Sequence, residues 1–209
     1  MISLHAKKEF RLPIIANSVS PDVFQGKKSA EIEALKLWEG NKQKKLGELF
    51  KVEENKTKSQ HESTIVIHGN LSKVRMVGAR MKDGEITIYG NAGMHLGEEM
   101  RGGRINVQGD TGGWAGSMMK GGAIEIHGNA GDYLGAPYRG SSEGMHGGKI
   151  TVYGNVGNEA GAHMRKGIIK VYGNAGQFAG FRLHNGAVYV QKDCGDRVGA
   201  CMKDGTVVV

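Results

Sequence analysis

The chain is poor in the residues that usually carry chemistry or harden a small fold. Only two cysteines, three prolines and two tryptophans occur in 209 residues. Cys194 and Cys201 match no zinc or redox spacing, so they read as two small buried hydrophobes. No run of 18 apolar residues exists, and the start MISLHAKKEF lacks the apolar core of a secretion signal. The expectation is a soluble, cytoplasmic protein without a membrane-bound segment. The histidines form neither an H-x-H nor an HExxH pair, and no serine stands in a nucleophile elbow. Glu98 and Glu99 are adjacent, so on an extended chain they face opposite ways and cannot work as a carboxylate pair. The residues offer no catalytic or metal-ligating set.

Charge of one sign is not concentrated either. The formal charge is +7, split as +3 over residues 1–64 (12 basic, 9 acidic) and +4 over the rest (16 basic, 12 acidic). A nucleic-acid binder gathers its charge on one element and interleaves aromatics for stacking, and neither half does so. Nucleic acid is not an expected partner.

Glycine is abundant, at 35 residues against a usual share of about 7%. Collagen is excluded because these glycines do not fall every third residue and proline is scarce. All but Gly26, Gly40 and Gly47 lie after residue 64, which divides the chain into an extension at 1–64 and a glycine-rich region at 65–209.

That second region is a repeat. Apolar strand starts recur at Ile65, Ile86, Ile105, Ile124, Ile150, Ile169, Val188 and Val207, with spacings of 21, 19, 19, 26, 19, 19 and 19 residues. A period of this size marks a solenoid of stacked coils. Alternating β-branched residues such as Ile86 and Ile88, or Ile105 and Val107, predict a short strand with one face inward. A glycine then precedes an Asn/Asp column: Asn70, Asn91, Asp110, Asn129, Asn155, Asn174 and Asp193. Both residue types suit a left-handed corner, and stacked side-chain amides can bond from coil to coil. The GNAG string is a corner and not a phosphate cradle, since no helical pattern follows it. Two further columns fill the core, one running from Leu96 to Val198 and one from Met81 to Met202. The expected fold is therefore all-β. It is a single-stranded parallel β-helix with three sides, right-handed by the preference of parallel crossovers, about 34 Å tall at about 4.8 Å per coil.

Function must be sought where the repeat is broken. The residue after each methionine position is basic: Lys82, Arg101, Lys120, His146, Arg165, His184 and Lys203. Like charges about 5 Å apart in water repel by roughly 0.8 kcal/mol, so an unbroken run at Lys82, Arg101 and Lys120 invites an anionic partner or ligand. The 26-residue coil inserts Pro137–Gly144, which places Tyr138, Arg139 and Glu143 on a surface loop suited to contact. The extension predicts strands at Ile2–Ala6 and Leu12–Ala16, a helix capped by Ser29 and running to Leu37, and a strand from Leu46 to Val52. This small mixed α/β piece would cap one end of the rod. The opposite end, Val207–Val209, has no evident cap, so a partner or further chain is expected over it.

Several of these segments together resemble the C subunit of formylmethanofuran dehydrogenase. They are the coil GNAGMHLGEEMRGGRINVQGD, the inserted coil LGAPYRGSSEGMHGGKI and the leader pieces SPDVFQGKK and LKLWEGNKQKKLGELF. The coils alone are also similar to the glycine-rich β-helix of glutamate synthase; the leader separates the two. Bacterial formyltransferase/hydrolase complexes carry a similar subunit and form the nearest alternative. The resemblance implies an archaeal, cytoplasmic complex that reduces CO2 with ferredoxin electrons and forms formylmethanofuran, the first step of methanogenesis from CO2. It implies no cofactor on this chain. The molybdenum or tungsten pterin, the iron–sulfur clusters and an amidohydrolase-type metal site would belong to the other subunits. Those are the amidohydrolase-like A subunit, the pterin-binding B and D subunits, and polyferredoxin subunits, which this chain would scaffold. Because methanofuran has an anionic tail, Lys82, Arg101, Lys120, Tyr138 and Arg139 become candidate contacts for it or for a partner. A free-standing polyanion-binding solenoid is the remaining class.

Overall fold

The structure, a computed structural model, describes residues 1–54 and 63–209. Residues 55–62, at the end of the expected extension, lie outside the described residues.

The repeat folds as a β-solenoid of about eight coils. One strand per coil stacks in parallel: β6 (Thr64–His68), β8 (Glu85–Tyr89), β9 (Arg104–Val107), β10 (Ala123–Ile126), β11 (Lys149–Val152), β12 (Ile168–Val171), β13 (Ala187–Val190) and β14 (Thr206–Val208). The register joins like with like, so Ile86 pairs with Ile65 below and Ile105 above, and Ile124 with Ile150 across the insertion. Inward-facing Ile86, Ile88, Ile105, Ile124, Ile150 and Ile169 are fully buried, as are Met81, Met100, Met119, Met145 and Met164 on the opposite wall.

The other sides are less regular than three equal strands. The second side is a single bridge per coil, through Leu71, Ala92, Thr111, Ala130, Val156, Ala175 and Cys194. The third is a tight turn with no ladder, held by bonds such as Arg101 N–H to the Met81 carbonyl (2.8 Å) and Gly116 N–H to the Leu96 carbonyl (2.8 Å).

The glycine–asparagine corner forms for a different reason from the one expected. Of the column Gly69, Gly90, Gly109, Gly128, Gly154 and Gly173, only Gly69 and Gly90 have positive φ. Glycine is required because the next coil lies directly below: a Cβ on Gly128 would collide with the Asp110 carboxylate and the Gly109 backbone. The asparagine side chains bond from coil to coil, chiefly as acceptors of backbone N–H. Asn91 Oδ1 accepts from Asp110 N (2.9 Å), Asp110 Oδ1 from Asn129 N (2.7 Å), Asn129 Oδ1 from Asn155 N (2.9 Å) and Asn155 Oδ1 from Asn174 N (2.8 Å). The backbone N–H needs only an oxygen, so aspartate serves at Asp110, where the carboxylate also accepts from Asn129 Nδ2 (3.1 Å).

The leader continues the same sheet. β1 (Ile2–Ala6) lies parallel to β6, and β5 (Phe50–Glu54) lies antiparallel on β1. Between them come β2 (Ile14–Ile15), α1 (Pro21–Phe24), α2 (Ser29–Glu33), β3 (Lys36–Glu39), β4 (Lys42–Lys45) and α3 (Leu46–Leu49), while β7 (Val74–Arg75) joins β2 from the first coil. The helix expected from Ser29 to Leu37 ends at Glu33, because Leu37 is drawn into β3, opposite Lys44 of β4. The strand expected from Leu46 begins instead as a helical turn: Glu48 accepts the Lys45 N–H (3.1 Å), and β5 starts only at Phe50. The two cysteines do not behave alike. Cys194 is half-buried, but Cys201 is exposed because it sits in a left-handed turn position (φ 58°) whose side chains point away from the core.

Candidate functional site

Each regular coil places two non-glycine residues in the left-handed region. One column runs Met76, His95, Trp114, Tyr133, Glu159, Phe178 and Arg197; the other includes Arg80, Glu99, Met118, His163, Arg182 and Cys201. Such a residue costs about 1–2 kcal/mol. Coil-to-coil bonds hold the first column in place, among them His95 N–H to the Gly113 carbonyl (3.0 Å) and Trp114 N–H to the Asp132 carbonyl (2.9 Å). Ring stacking adds a contribution of similar size. His95 and Trp114 have centroids 5.4 Å apart at 12°, and Trp114 and Tyr133 are 4.5 Å apart at 18°. This aromatic stripe was not singled out from the sequence, although the 19-residue spacing of His95, Trp114 and Tyr133 carries the signal.

The inserted loop is fastened to that stripe. At its root, the Ser117 hydroxyl donates to the Ala136 carbonyl (2.7 Å) in a buried position. Tyr138 then folds back onto His95 (5.4 Å, 29°), close enough to the Glu98 carboxylate for the two to shift each other's pKa. Glu98 is 4% exposed. One of its oxygens lies 3.0 Å from His95 Nδ1, a close contact outside hydrogen-bond alignment. Burial pushes the Glu98 pKa up, but His95, Tyr138 and Arg80 together outweigh it and hold the carboxyl below its ordinary range. Burial and the Glu98 carboxylate push the Tyr138 phenol well above its ordinary value. Arg139 reaches the other way, with its guanidinium 5.9 Å from the Tyr133 ring centroid and donating to the Tyr133 hydroxyl (3.3 Å). The residue pattern alone assigned no polar constellation here; folding of the loop assembles His95, Glu98 and Tyr138 as an anchor.

The far end of the loop meets the basic column. Glu143 contacts His146 (2.7 Å) and Arg165 (3.1 Å), and Arg165 lies 3.4 Å from His184. Desolvation and the Arg165 charge lower the His184 pKa. The loop thus neutralises the middle of the column and leaves Lys82, Arg101 and Lys120 exposed beyond its reach. Their backbones are in register, since Arg101 N–H donates to the Met81 carbonyl (2.8 Å) and Lys120 N–H to the Met100 carbonyl (2.7 Å). Lys120 approaches Glu99 at 3.8 Å, and Arg80 approaches the same carboxylate at 3.5 Å. Arg101 has no ion pair among the described residues.

Two clefts flank this arrangement. One, of about 300 Å³, lies between the leader and the first coils and is lined by Ser20, Asp22, Arg80, Lys82 and Glu98. Asp22 pins it by accepting the Lys82 N–H (2.8 Å). The other, of about 210 Å³, lies under the loop and is lined by Tyr133, Tyr138, Arg139, Glu159 and His163. Of the five candidate residues, Lys82, Arg101 and Lys120 form one surface and Tyr138 and Arg139 another. Glu98 and Glu99 link the two. Among the described residues no group of three His, Cys, Asp or Glu could hold a metal ion, and no helix is long and apolar enough to cross a membrane. The arrangement can attract and orient carboxylate-bearing molecules or acidic protein surfaces.

Comparisons with known proteins agree with the resemblance carried by the residues. No family model matches the chain. It is 43% identical over 91 residues to the C subunit of the molybdenum-containing formylmethanofuran dehydrogenase 1 of Methanothermobacter marburgensis, covering 44% of this chain and 22% of that protein. It is 40% identical over 96 residues to the C subunit of the tungsten-containing formylmethanofuran dehydrogenase 2 of the same organism, covering 46% and 36%. The matched stretches thus span about a fifth to a third of these curated relatives. A chain in the crystal structure of the formyltransferase/hydrolase complex from Methylorubrum extorquens, with methylofuran bound, superposes with a TM-score of 0.91 at 29% identity, covering 98% of this chain and 75% of that one. The chain is thus similar in sequence, over a little under half its length, to C subunits of formylmethanofuran dehydrogenases, and in fold, over nearly all of it, to one chain of a formyltransferase/hydrolase complex.

Proposed function

We propose that the chain is the structural C subunit of a cytoplasmic formylmethanofuran dehydrogenase complex, holding together catalytic subunits that convert CO2, methanofuran and reduced ferredoxin to formylmethanofuran. The observation that carries this reading is the superposition over 98% of the chain, leader included, onto one chain of a larger enzyme complex. A β-solenoid suits such a role: its rigid, regular coils offer several long faces at once. The pterin, the iron–sulfur clusters and the amidohydrolase-type metal site belong in this reading to the A, B and D subunits and the polyferredoxins. The reading is tested by expressing the complex with and without this chain. A scaffold predicts that the remaining subunits no longer co-elute without it; unchanged co-elution contradicts the role.

The uncovered basic column has a narrower part in the same proposal. Lys82, Arg101 and Lys120, with Arg139 on the loop, attract the anionic tail of methanofuran toward the site of formyl transfer. Reversing the first three charges raises the apparent KM for methanofuran several-fold in an intact complex. An unchanged KM in that complex contradicts the contact. The second reading, a subunit of a formyltransferase/hydrolase complex, is favoured by the identity of the structural neighbour. Molybdenum or tungsten in the purified assembly supports the dehydrogenase; their absence beside formyl-transfer activity supports the alternative.

A further inference from the structure

The outer face of the long sheet grows more apolar toward the last coils. On the lower coils it is mixed: Arg104 lies 3.5 Å from Glu125, threonine, asparagine and glutamine fill several outward positions, and the exposed Tyr89 is stacked on His68 (5.1 Å, 10°). On β12 and β13, and directly after β11 and β12, the outward positions carry Ile168 and Tyr189, and Tyr153 and Tyr172, exposed by 39%, 39%, 46% and 43%. The only charges among these outward positions are Lys149 and Lys170, and neither has an ion pair among the described residues. A shallow groove of about 350 Å³ runs between Tyr172 and Tyr189, floored by backbone and edged by Ile168 and Lys170.

The orientation of the rings narrows what this face can receive. Tyr153 and Tyr172 are stacked face to face along the rod, with centroids 5.2 Å apart at 5°. Lys170 lies 5.9 Å from the Tyr189 ring centroid. Each tyrosine has therefore committed a ring face to its neighbour and offers its edge and hydroxyl outward. Nucleobases bind aromatic faces, so the patch is unsuited to single-stranded nucleic acid. Tyrosine edges around an exposed isoleucine match the buried centre of a protein interface, where aromatics are enriched and charges depleted. A second copy would bring two more lysines and no acidic partner to this face, which disfavours a homodimer through it.

We propose that the sheet face formed by Tyr153, Ile168, Tyr172 and Tyr189, rimmed by Lys149 and Lys170, docks another subunit of the complex through an apolar patch bordered by acidic side chains. The proposal rests on the reading of the chain as one member of a complex, and it commits that role to one face of the rod. It leaves the basic column and the inserted loop free for other contacts.

The test uses the tagged chain co-expressed with the other subunits of its complex, with the composition of the purified assembly read by native mass spectrometry. Three double or single variants are compared with wild type: Y153S/Y172S, K149E/K170E, and Q108S on the polar part of the same face. Retention of one specific subunit should fall by about tenfold or more in both double variants and remain at the wild-type level in Q108S. Added salt should weaken wild-type retention while leaving the already weakened K149E/K170E assembly less affected. Unchanged melting of each isolated variant shows that the rod is intact; should Y153S/Y172S unfold, K149E/K170E, which leaves the rings in place, decides the matter. Full retention of every subunit in the folded variants overturns the proposal and leaves the scaffold reading standing. A wild-type chain that brings down no other subunit overturns both. Self-association or nucleic-acid binding that is lost with the same substitutions also overturns it.

Discussion

Glu98 is the only buried charged side chain among the described residues, and its environment fixes how it contributes. Replacing it by alanine removes the carboxylate that faces His95 and Tyr138, so E98A should cost about 1–3 kcal/mol in thermal or denaturant unfolding. The folded pKa lies below the reference value of 4.5, so the stabilising effect of ionised Glu98 is present above about pH 4.5 and is lost as pH falls through the lower folded value. The stability gap between wild type and E98Q should therefore be constant near neutrality and close on acidification below pH 4.5. A gap that widens in acid contradicts the assignment. The asparagine column gives a second residue-level expectation. N155A removes the acceptor for the Asn174 N–H and should cost about 1 kcal/mol, whereas N155D keeps the oxygen and should cost much less. The column itself was legible, because its spacing is that of the coil. Its mechanism was not, since composition cannot tell a left-handed glycine from one excluded by a neighbour's backbone. Cys201 shows the same limit: a small apolar residue reads as core until the backbone sets its direction.

At the scale of elements, the insertion and the leader were legible as departures from the repeat, and their internal structure was not. Alignment of the strand starts locates the seven extra residues in the coil between Ile124 and Ile150. It does not show that Tyr138 returns to a stripe formed two coils earlier, because His95 lies 43 positions away in sequence and is adjacent only after the coils stack. In the leader, Leu46–Leu49 turns helical where a strand was expected; the Glu48 carboxylate caps the turn, and its pKa is lowered by the bond from the Lys45 backbone and by Lys44. Deleting residues 137–143 restores a 19-residue coil and removes one arginine and one glutamate, so net charge is unchanged. The shortened chain should remain folded, because closing a shorter loop is not costly. It should also bind a cation-exchange resin more tightly, because loss of Glu143 uncovers Arg165 and His146 beside the existing run of Lys82, Arg101 and Lys120. Elution at unchanged salt contradicts the view that the loop neutralises the column.

For the whole molecule, the repeat was the most legible feature because each coil restates the same demand. An inward Ile pair, a glycine where the next coil presses, an oxygen at the corner and a methionine on the far wall together specify one stacking register. A wrong register would misplace every column at once. The faces of the rod are less legible, since residues 19 positions apart become neighbours and the outward positions obey no core constraint. The stacked tyrosines and the loop-covered basic column emerge only when those positions are read up the rod and not along the chain. The proposed scaffold role is a statement about assembly. Native mass spectrometry of the tagged chain, purified gently from its own cells, tests it most directly. The account predicts a single large assembly in which this chain accompanies several different subunits, with formylmethanofuran-forming activity in the assembly and none in the isolated chain. A chain recovered alone, or active by itself, contradicts it.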